Sequence, residues 1–307
     1  MSDSTHPDLP IDPHHVARQF ARRGDLGDAA FLYAEIDTRM RERLRYIRLE
    51  PARVLDAGCA VAAGRDGLAE RFPAASYVGI DHCAALIAQA EARHAGPGGV
   101  RGLLQRLRPG GAAAPEFHVA DLAATGLAPE SVQLVWSNLA LHWHPTPHAV
   151  LGEWRRVLAV GGLAMFSCLG PATLREVRAA VEAAGLQTQT LPFVDMHDFG
   201  DILIESGFDD PVMDQETLTL TYSTPERLLA DVRALGGNPA RGRRAGLAGR
   251  AFRDRLHAAL EAQRQPDGLL HLTLEVAYGH AWRAASRQAQ PGETRISVSA
   301  IGRGPRP

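Results

Sequence analysis

Between Arg53 and Ser167 short apolar runs alternate with helical patterns, and few folds accept that alternation. Arg53-Val54-Leu55-Asp56-Ala57-Gly58 reads as a strand that ends in a glycine turn. A helical pattern follows from about Gly64 to Phe72. Ser76–Asp81 is a second strand and Ala84–Arg93 a second helix. Glu116–Val119, Val132–Ser137 and Leu163–Ser167 are further strands. Pro147–Leu158 is a helix with proline in its first turn, stopped by Gly161-Gly162. Strands that alternate with helices pair in parallel through crossovers, and those crossovers are right-handed. A doubly wound α/β fold with a mostly parallel sheet is expected.

The flanks differ. Pro13–Leu49 is amphipathic and Arg-rich and reads as one or two helices. Ala95–Pro115 is rich in Gly and Pro and reads as a surface insertion. In the second half Ala172–Ala184, Met196–Ser206, Pro225–Leu235 and Leu247–Gln263 have helical patterns. Glu216–Tyr222 and Leu269–Tyr278 alternate with period two. These two strands are expected to pair and extend the sheet, with the intervening helices as a cap. The expected division is 1–50 as a helical segment contributing to a substrate lid and 51–170 as the ligand-binding core. Residues 171–283 form the cap and last strands, and 284–307 a fraying tail.

Composition removes several function classes. The chain has no lysine; all 33 basic side chains are arginine. That excludes a Schiff-base lysine and the lysine of a phosphate-binding P-loop. A formal net charge of −2 disfavours a nucleic-acid binder. Cys59, Cys83 and Cys168 are far apart and lack zinc or redox spacing, so neither a metal nor a disulfide framework is expected. The longest apolar runs fall short of a membrane span, and the polar first residues do not resemble a signal peptide. A cytoplasmic protein without a membrane partner is expected.

The turn Asp56-Ala57-Gly58-Cys59, with Gly64 opening the helix, lets a ligand approach the backbone at a helix N-terminus. Asp81 closes the second strand about 23 positions after Gly58. An acid there can accept hydrogen bonds from a ribose diol. Asn138 follows an apolar strand directly, at the carboxyl end of the sheet where α/β ligands bind.

These residues resemble motif I of class I S-adenosyl-L-methionine (SAM)-dependent methyltransferases. That fold is Rossmann-like, with a seven-stranded sheet. Val119-Ala120-Asp121-Leu122 resembles the acidic turn that contacts adenine in that superfamily. Ser137-Asn138-Leu139-Ala140-Leu141-His142-Trp143, Phe166-Ser167-Cys168-Leu169-Gly170-Pro171, Asp195–Asp201, Ser206–Asp214 and Thr273–Trp282 narrow the resemblance. Together they are similar to the malonyl-acyl-carrier-protein O-methyltransferases of biotin synthesis, the BioC family, over roughly Val16 to Trp282. The resemblance implies SAM as methyl donor, contacted by Asp56, Gly58, Cys59, Gly64, Asp81, His82, Asp121, Leu122 and Asn138. It implies malonyl-acyl-carrier protein, or malonyl-CoA, as acceptor. Asn138, His142, Trp143 and Arg23 are the candidates at the reacting carboxylate, with Arg22 and Thr173 behind them.

Two departures matter. The family carries glycine at the positions of Ala60 and Ala62, where a Cβ would crowd the cofactor. Alternatively the loop is two residues longer, and Gly64-Arg65-Asp66 supplies the glycine. A family tyrosine near the N-terminus is also missing, and Tyr33 is the available substitute. Two other readings stay open at this point. One is a methyltransferase-like hydroxylase or assembly factor for a respiratory-complex subunit; the other is a scaffold that has lost SAM. The run Arg241–Arg255 holds six arginines against Asp254. It is a candidate docking face for an acidic carrier protein, with a merely solvated surface as the alternative.

Overall fold

The structure is a computed structural model and describes residues 8–23, 27–95, 113–244, 246 and 248–284. Most of the expected insertion and all but the first residue of the expected tail lie outside these residues. Two helices open the chain, α1 (Pro13–Arg23) and α2 (Ala30–Leu44). The alternating core follows as β1 (Arg53–Ala57), α3 (Arg65–Arg71), β2 (Ser76–Asp81), α4 (Ala84–His94), β3 (Glu116–Val119), β4 (Val132–Ser137), α5 (Pro147–Val157) and β5 (Leu158–Leu169). The cap brings α6 (Arg175–Ala183), α7 (Met196–Glu205), β6 (Asp209–Tyr222), α8 (Pro225–Ala234), α9 (Arg250–Glu261) and β7 (Leu270–Trp282).

The described strands form one seven-stranded sheet in the order β3-β2-β1-β4-β5-β7-β6. The first five are parallel, and β7 and β6 add antiparallel as the sequence pattern predicts. Alternation splits the central strands between two cores. Val54, Leu134, Trp136 and Met165 face one side, where α2 buries Leu32, Ile36, Met40 and Leu44 at four-residue spacing. Leu55, Ala57, Val135 and Phe166 face the other, against Leu151 and Trp154 of α5 and Phe199 of α7. Strands covered on both faces read as near-continuous apolar runs, which is why β1 and β4 were legible.

Two boundaries depart from the pattern. Gly161-Gly162 does not end α5; that helix stops at Val157, and the glycines lie inside β5. Gly161 has φ +77° and donates its N–H to the Arg283 carbonyl at 2.7 Å, while the β4–β5 register shifts between Val132 and Leu134. Glycine here makes a bulge rather than a stop. β6 begins at Asp209, seven residues before its clean alternation. Its first part carries Pro211 and a register shift between Asp209 and Val212, with Asp210 at φ 49°. An edge strand tolerates proline because one side of its backbone needs no partner.

The chain before α1 is strapped to the loop after α8. Ile11 forms an antiparallel bridge with Ala240. Asp12 N–H donates to the Pro239 carbonyl, Arg241 N–H to that of Pro10, and Leu9 N–H to that of Pro145. Asp12 also caps α1, accepting from the His15 N–H at 3.0 Å, and pairs with Arg243 at 3.0 Å. These contacts hold α1 across the carboxyl ends of the strands.

Candidate active site

A cavity of about 630 Å³ opens at those strand ends, in the range of small-molecule sites. Its wall includes Asp56, Gly58, Cys59, Gly64, Asp81, His82, Asp121, Leu122, Asn138 and Trp143, most of the residues that the sequence singled out. Helix α1 closes it with Val16, Ala17 and Phe20, and α2 adds Tyr33, Asp37, Thr38 and Arg41.

The first turn is built against strand β2. The N–H groups of Gly58 and Cys59 both donate to the Ile80 carbonyl, at 2.8 and 2.9 Å. Gly58 has φ +81°, and a Cβ there would stand 2.3 Å from the Ala140 Cβ. Glycine is required on both counts. Ala60 and Ala62 have φ 48° and 52°, the left-handed region in which L-residues are strained. Gly64 caps α3 at φ −77°, an ordinary conformation, but a Cβ there would lie 2.6 Å from Asp37 Oδ1. The loop therefore keeps the shape that favours glycine at 60 and 62, and Gly64 is needed for space rather than conformation.

Asp81 is buried, and its carboxylate accepts from the N–H groups of Ala60 (3.0 Å) and Cys83 (2.8 Å). It holds the loop in place as well as facing the cavity. Burial raises its pKa, opposed by His82, whose ring lies 3.6 Å away. Asp56 accepts a 2.6 Å hydrogen bond from the Tyr77 hydroxyl. Burial pushes its pKa up to about 7, and the charges of Asp37 and Asp81 add to the rise. Asp37 is also buried and raised by burial, although it accepts from Arg41 Nε at 2.8 Å. Three carboxylates thus share one poorly solvated cavity. At the far end Asp121 accepts from the Ala123 N–H and pairs with His144 at 3.1 Å, which holds its carboxyl below the usual range.

Asn138 is engaged on both sides of its amide. Its Nδ2 donates to the Tyr33 carbonyl at 2.9 Å, and its Oδ1 accepts from Ser167 Oγ at 2.9 Å. It fixes α2 over the end of β4. Trp143 packs edge-to-face on Phe20 at 5.8 Å, with Nε1 buried and without a partner among the described residues. His142 is 3% exposed and stands behind the cavity wall, its ring tilted 46° against Trp143 at 4.7 Å and beside Phe193. Burial drives its pKa down to about 3, so the ring is neutral. Arg23 stacks 4.7 Å above the Phe20 ring, outside the wall. Its Nη1 and Nη2 are buried and have no hydrogen-bond partner among the described residues. The guanidinium is close enough to the Tyr33 hydroxyl to interact with it, and its charge also acts on Asp81.

The sequence reading missed Asp37 and Arg41. Their four-residue spacing resembles an ordinary surface ion pair on a helix, and only packing turns it into the cavity. It also missed Tyr77, whose hydroxyl reaches Asp56 across the neighbouring strand.

A glycine turn that admits a ligand to the backbone, a strand-end acid and a cavity rich in carboxylates suit a nucleoside that carries positive charge. SAM is such a ligand, with a cationic sulfonium. With this strand order, the site defines the chain as a SAM-dependent methyltransferase of class I fold, and SAM as its methyl donor; residues 55–166 match the family described as "Methyltransferase domain". The BH2331 structure from Bacillus halodurans shares the fold, with a TM-score of 0.55 and 15% identity over 81% of this chain and 99% of that one. The malonyl-[acyl-carrier protein] O-methyltransferase of Laribacter hongkongensis is 42% identical over 278 residues, which is 90% of this chain and 91% of that protein. That of Gallionella capsiferriformans is 41% identical over 291 residues, 94% and 97% of the two chains. The chain belongs to the malonyl-[acyl-carrier protein] O-methyltransferase family. Among its described residues no helix is long and apolar enough to cross a membrane.

Proposed function

We propose that the chain transfers the SAM methyl group to the free carboxylate of malonyl-acyl-carrier protein, an early step of biotin synthesis in the cytoplasm. The observation that carries the reading is Arg23. A guanidinium whose Nη1 and Nη2 are buried without a partner among the described residues, beside an apolar wall of Phe20 and Trp143 and near Tyr33, suits a carboxylate that must shed water without losing its counter-charge.

Bound SAM supplies an electrophilic methyl group on a sulfonium. Asp81 and Asp121 would hold its nucleoside, and the Gly58 turn, Asp56, Asp37 and Arg41 its amino-acid end. A malonyl carboxylate is ionised at neutral pH, so the site needs no general base. Neutral, enclosed His142 agrees with that requirement and supports the shape of the Trp143 wall. Arg23 would orient the acceptor oxygen, and Asn138 would fix α2 so that donor and acceptor are aligned. Of the described residues, those up to 50 act as a lid, those in 51–170 as the SAM-binding core and those in 171–283 as the cap.

The test is methyl transfer from labelled SAM to malonyl-acyl-carrier protein, beside growth of a biotin-auxotrophic strain lacking its own enzyme of this kind. Arg23→Gln is expected to raise KM for the malonyl acceptor about tenfold or more, the loss of a charged hydrogen bond, while SAM affinity holds. Failure of the wild-type chain to methylate the acceptor or to rescue growth refutes the reading.

A further inference from the structure

The arginine run after α8 separates into two groups with different engagements. Arg241 and Arg243 are tied to the lid: Arg241 Nε donates to the Ile11 carbonyl at 3.0 Å, its guanidinium lies 3.8 Å from Asp8, and Arg243 pairs with Asp12. Arg255 donates to the Ala184 carbonyl. All of these but Arg243 are exposed, and Arg244, Arg250 and Arg253 differ in making no side-chain hydrogen bond among the described residues. Arg244 lies 5.5 Å over the Phe252 ring, which joins the loop to the start of α9, and Arg253 has only a 3.8 Å contact with Asp254. Arg250 and Arg253 sit three residues apart on one face of α9, in its N-terminal half. The first turn of α9 has no acid, and its N-cap, Gly249, has no side chain to bond. Positive side chains at the positive end of a helix repel its dipole, so this arrangement costs stability that an anionic partner recovers.

The location also matters. Arg244 N–H donates to Thr188 Oγ1, and Gln189 N–H to the Gly242 carbonyl. The 188–193 segment then runs inward to Leu191 and Phe193, which pack in the cluster with Phe20 and Trp143. A groove of about 460 Å³, lined by Pro10, Glu182, Thr188, Gln189, Pro192 and Ala240 among others, runs along the strap that holds α1. The basic face is therefore next to the lid of the site.

We propose that Arg244, Arg250 and Arg253 form the docking face for the acidic surface of the carrier protein, and that Arg241 and Arg243 do not take part because they hold the lid. This surface rests on the acceptor reading above. Charge complementarity of this kind acts chiefly on association rate and on salt dependence, with little effect on the reacting atoms. The occupant is an acidic protein: a thioester without a protein surface has nothing to set against three spaced arginines.

The experiment compares malonyl-acyl-carrier protein with malonyl-CoA across a salt series. In R244S/R250S/R253S, KM for the carrier substrate should rise about tenfold and its salt dependence flatten, while kcat and KM for malonyl-CoA hold at wild-type values. Retained malonyl-CoA turnover shows that the variant is folded. In R241S/R243S both substrates should lose activity together, because the lid is released for each. The surface is overturned if the triple variant loses activity equally on both substrates, if it keeps the wild-type KM for the carrier substrate, or if the two variants exchange behaviour. A wild-type chain that methylates malonyl-CoA but not the carrier substrate overturns the acceptor reading as well, which separates the two failures.

Discussion

Replacing Ala60 with glycine should stabilise the protein, whereas the same change at Ala62 should not. Both alanines are left-handed, at φ 48° and 52°. For an L-residue that conformation costs roughly 1–2 kcal/mol, which glycine removes. Against it stands the extra entropy of glycine in the unfolded chain, about 0.4–1 kcal/mol. Ala60 is half-buried on the cavity wall and loses little else, so Ala60→Gly should gain about 0.5–1 kcal/mol. Ala62 is 0% exposed, and its methyl adds about 0.8 kcal/mol of burial that glycine forfeits, which brings the balance to zero or slightly below. By the size scaling of thermal unfolding, Tm should rise by about 2 °C for Ala60→Gly and stay level for Ala62→Gly. Thermal unfolding followed by circular dichroism reads the shift, and calorimetry with SAM checks that affinity is not reduced. A fall in Tm for Ala60→Gly, or a larger gain for Ala62→Gly than for Ala60→Gly, would refute the reasoning.

Three further outcomes follow from the same site. Gly58→Ala combines φ +81° with a Cβ placed 2.3 Å from the Ala140 Cβ, so it should cost about 2 kcal/mol or more in stability and abolish SAM binding; denaturant unfolding and calorimetry measure both. Asp81→Ala should weaken SAM binding by about 1–3 kcal/mol, and it should lower stability too, because the N–H groups of Ala60 and Cys83 lose their acceptor. Asp56 keeps its proton to about pH 7 in the folded chain against 3.8 when unperturbed, so its contribution destabilises the free protein progressively as pH rises across that window. A cationic ligand favours the ionised carboxylate, hence SAM affinity should climb between about pH 6 and 8, and Asp56→Asn should remove the climb; a slope retained in the variant assigns the proton elsewhere.

The elements of the core were written locally. β1, β2 and β4 are short, mostly apolar runs bounded by turn residues, and their limits agree with the pattern because two-sided burial favours apolar residues inside them, with Asp56 turned to the cavity as the exception in β1. The Gly58 turn and Asp81 were legible for the same reason, since a ligand at the strand ends is served by residues adjacent to those strands. The tertiary structure decided what distance along the chain conceals. Asp37 and Arg41 join the cavity only because α2 folds over it, and Asn138 holds α2 there through the Tyr33 carbonyl, 105 residues away. His142 and Trp143 are neighbours in sequence, yet one lies behind the wall and the other on it, because a 3-10 turn over Leu141–Trp143 points consecutive side chains in different directions. The arginines after α8 are alike by composition. Packing ties Arg241 to the Ile11 carbonyl and Arg243 to Asp12, and leaves Arg244, Arg250 and Arg253 without a side-chain hydrogen bond among the described residues. Residue type and short-range pattern set the strands and the turn; partners brought together from remote parts of the chain set which arginines hold the lid by hydrogen bonds and which do not.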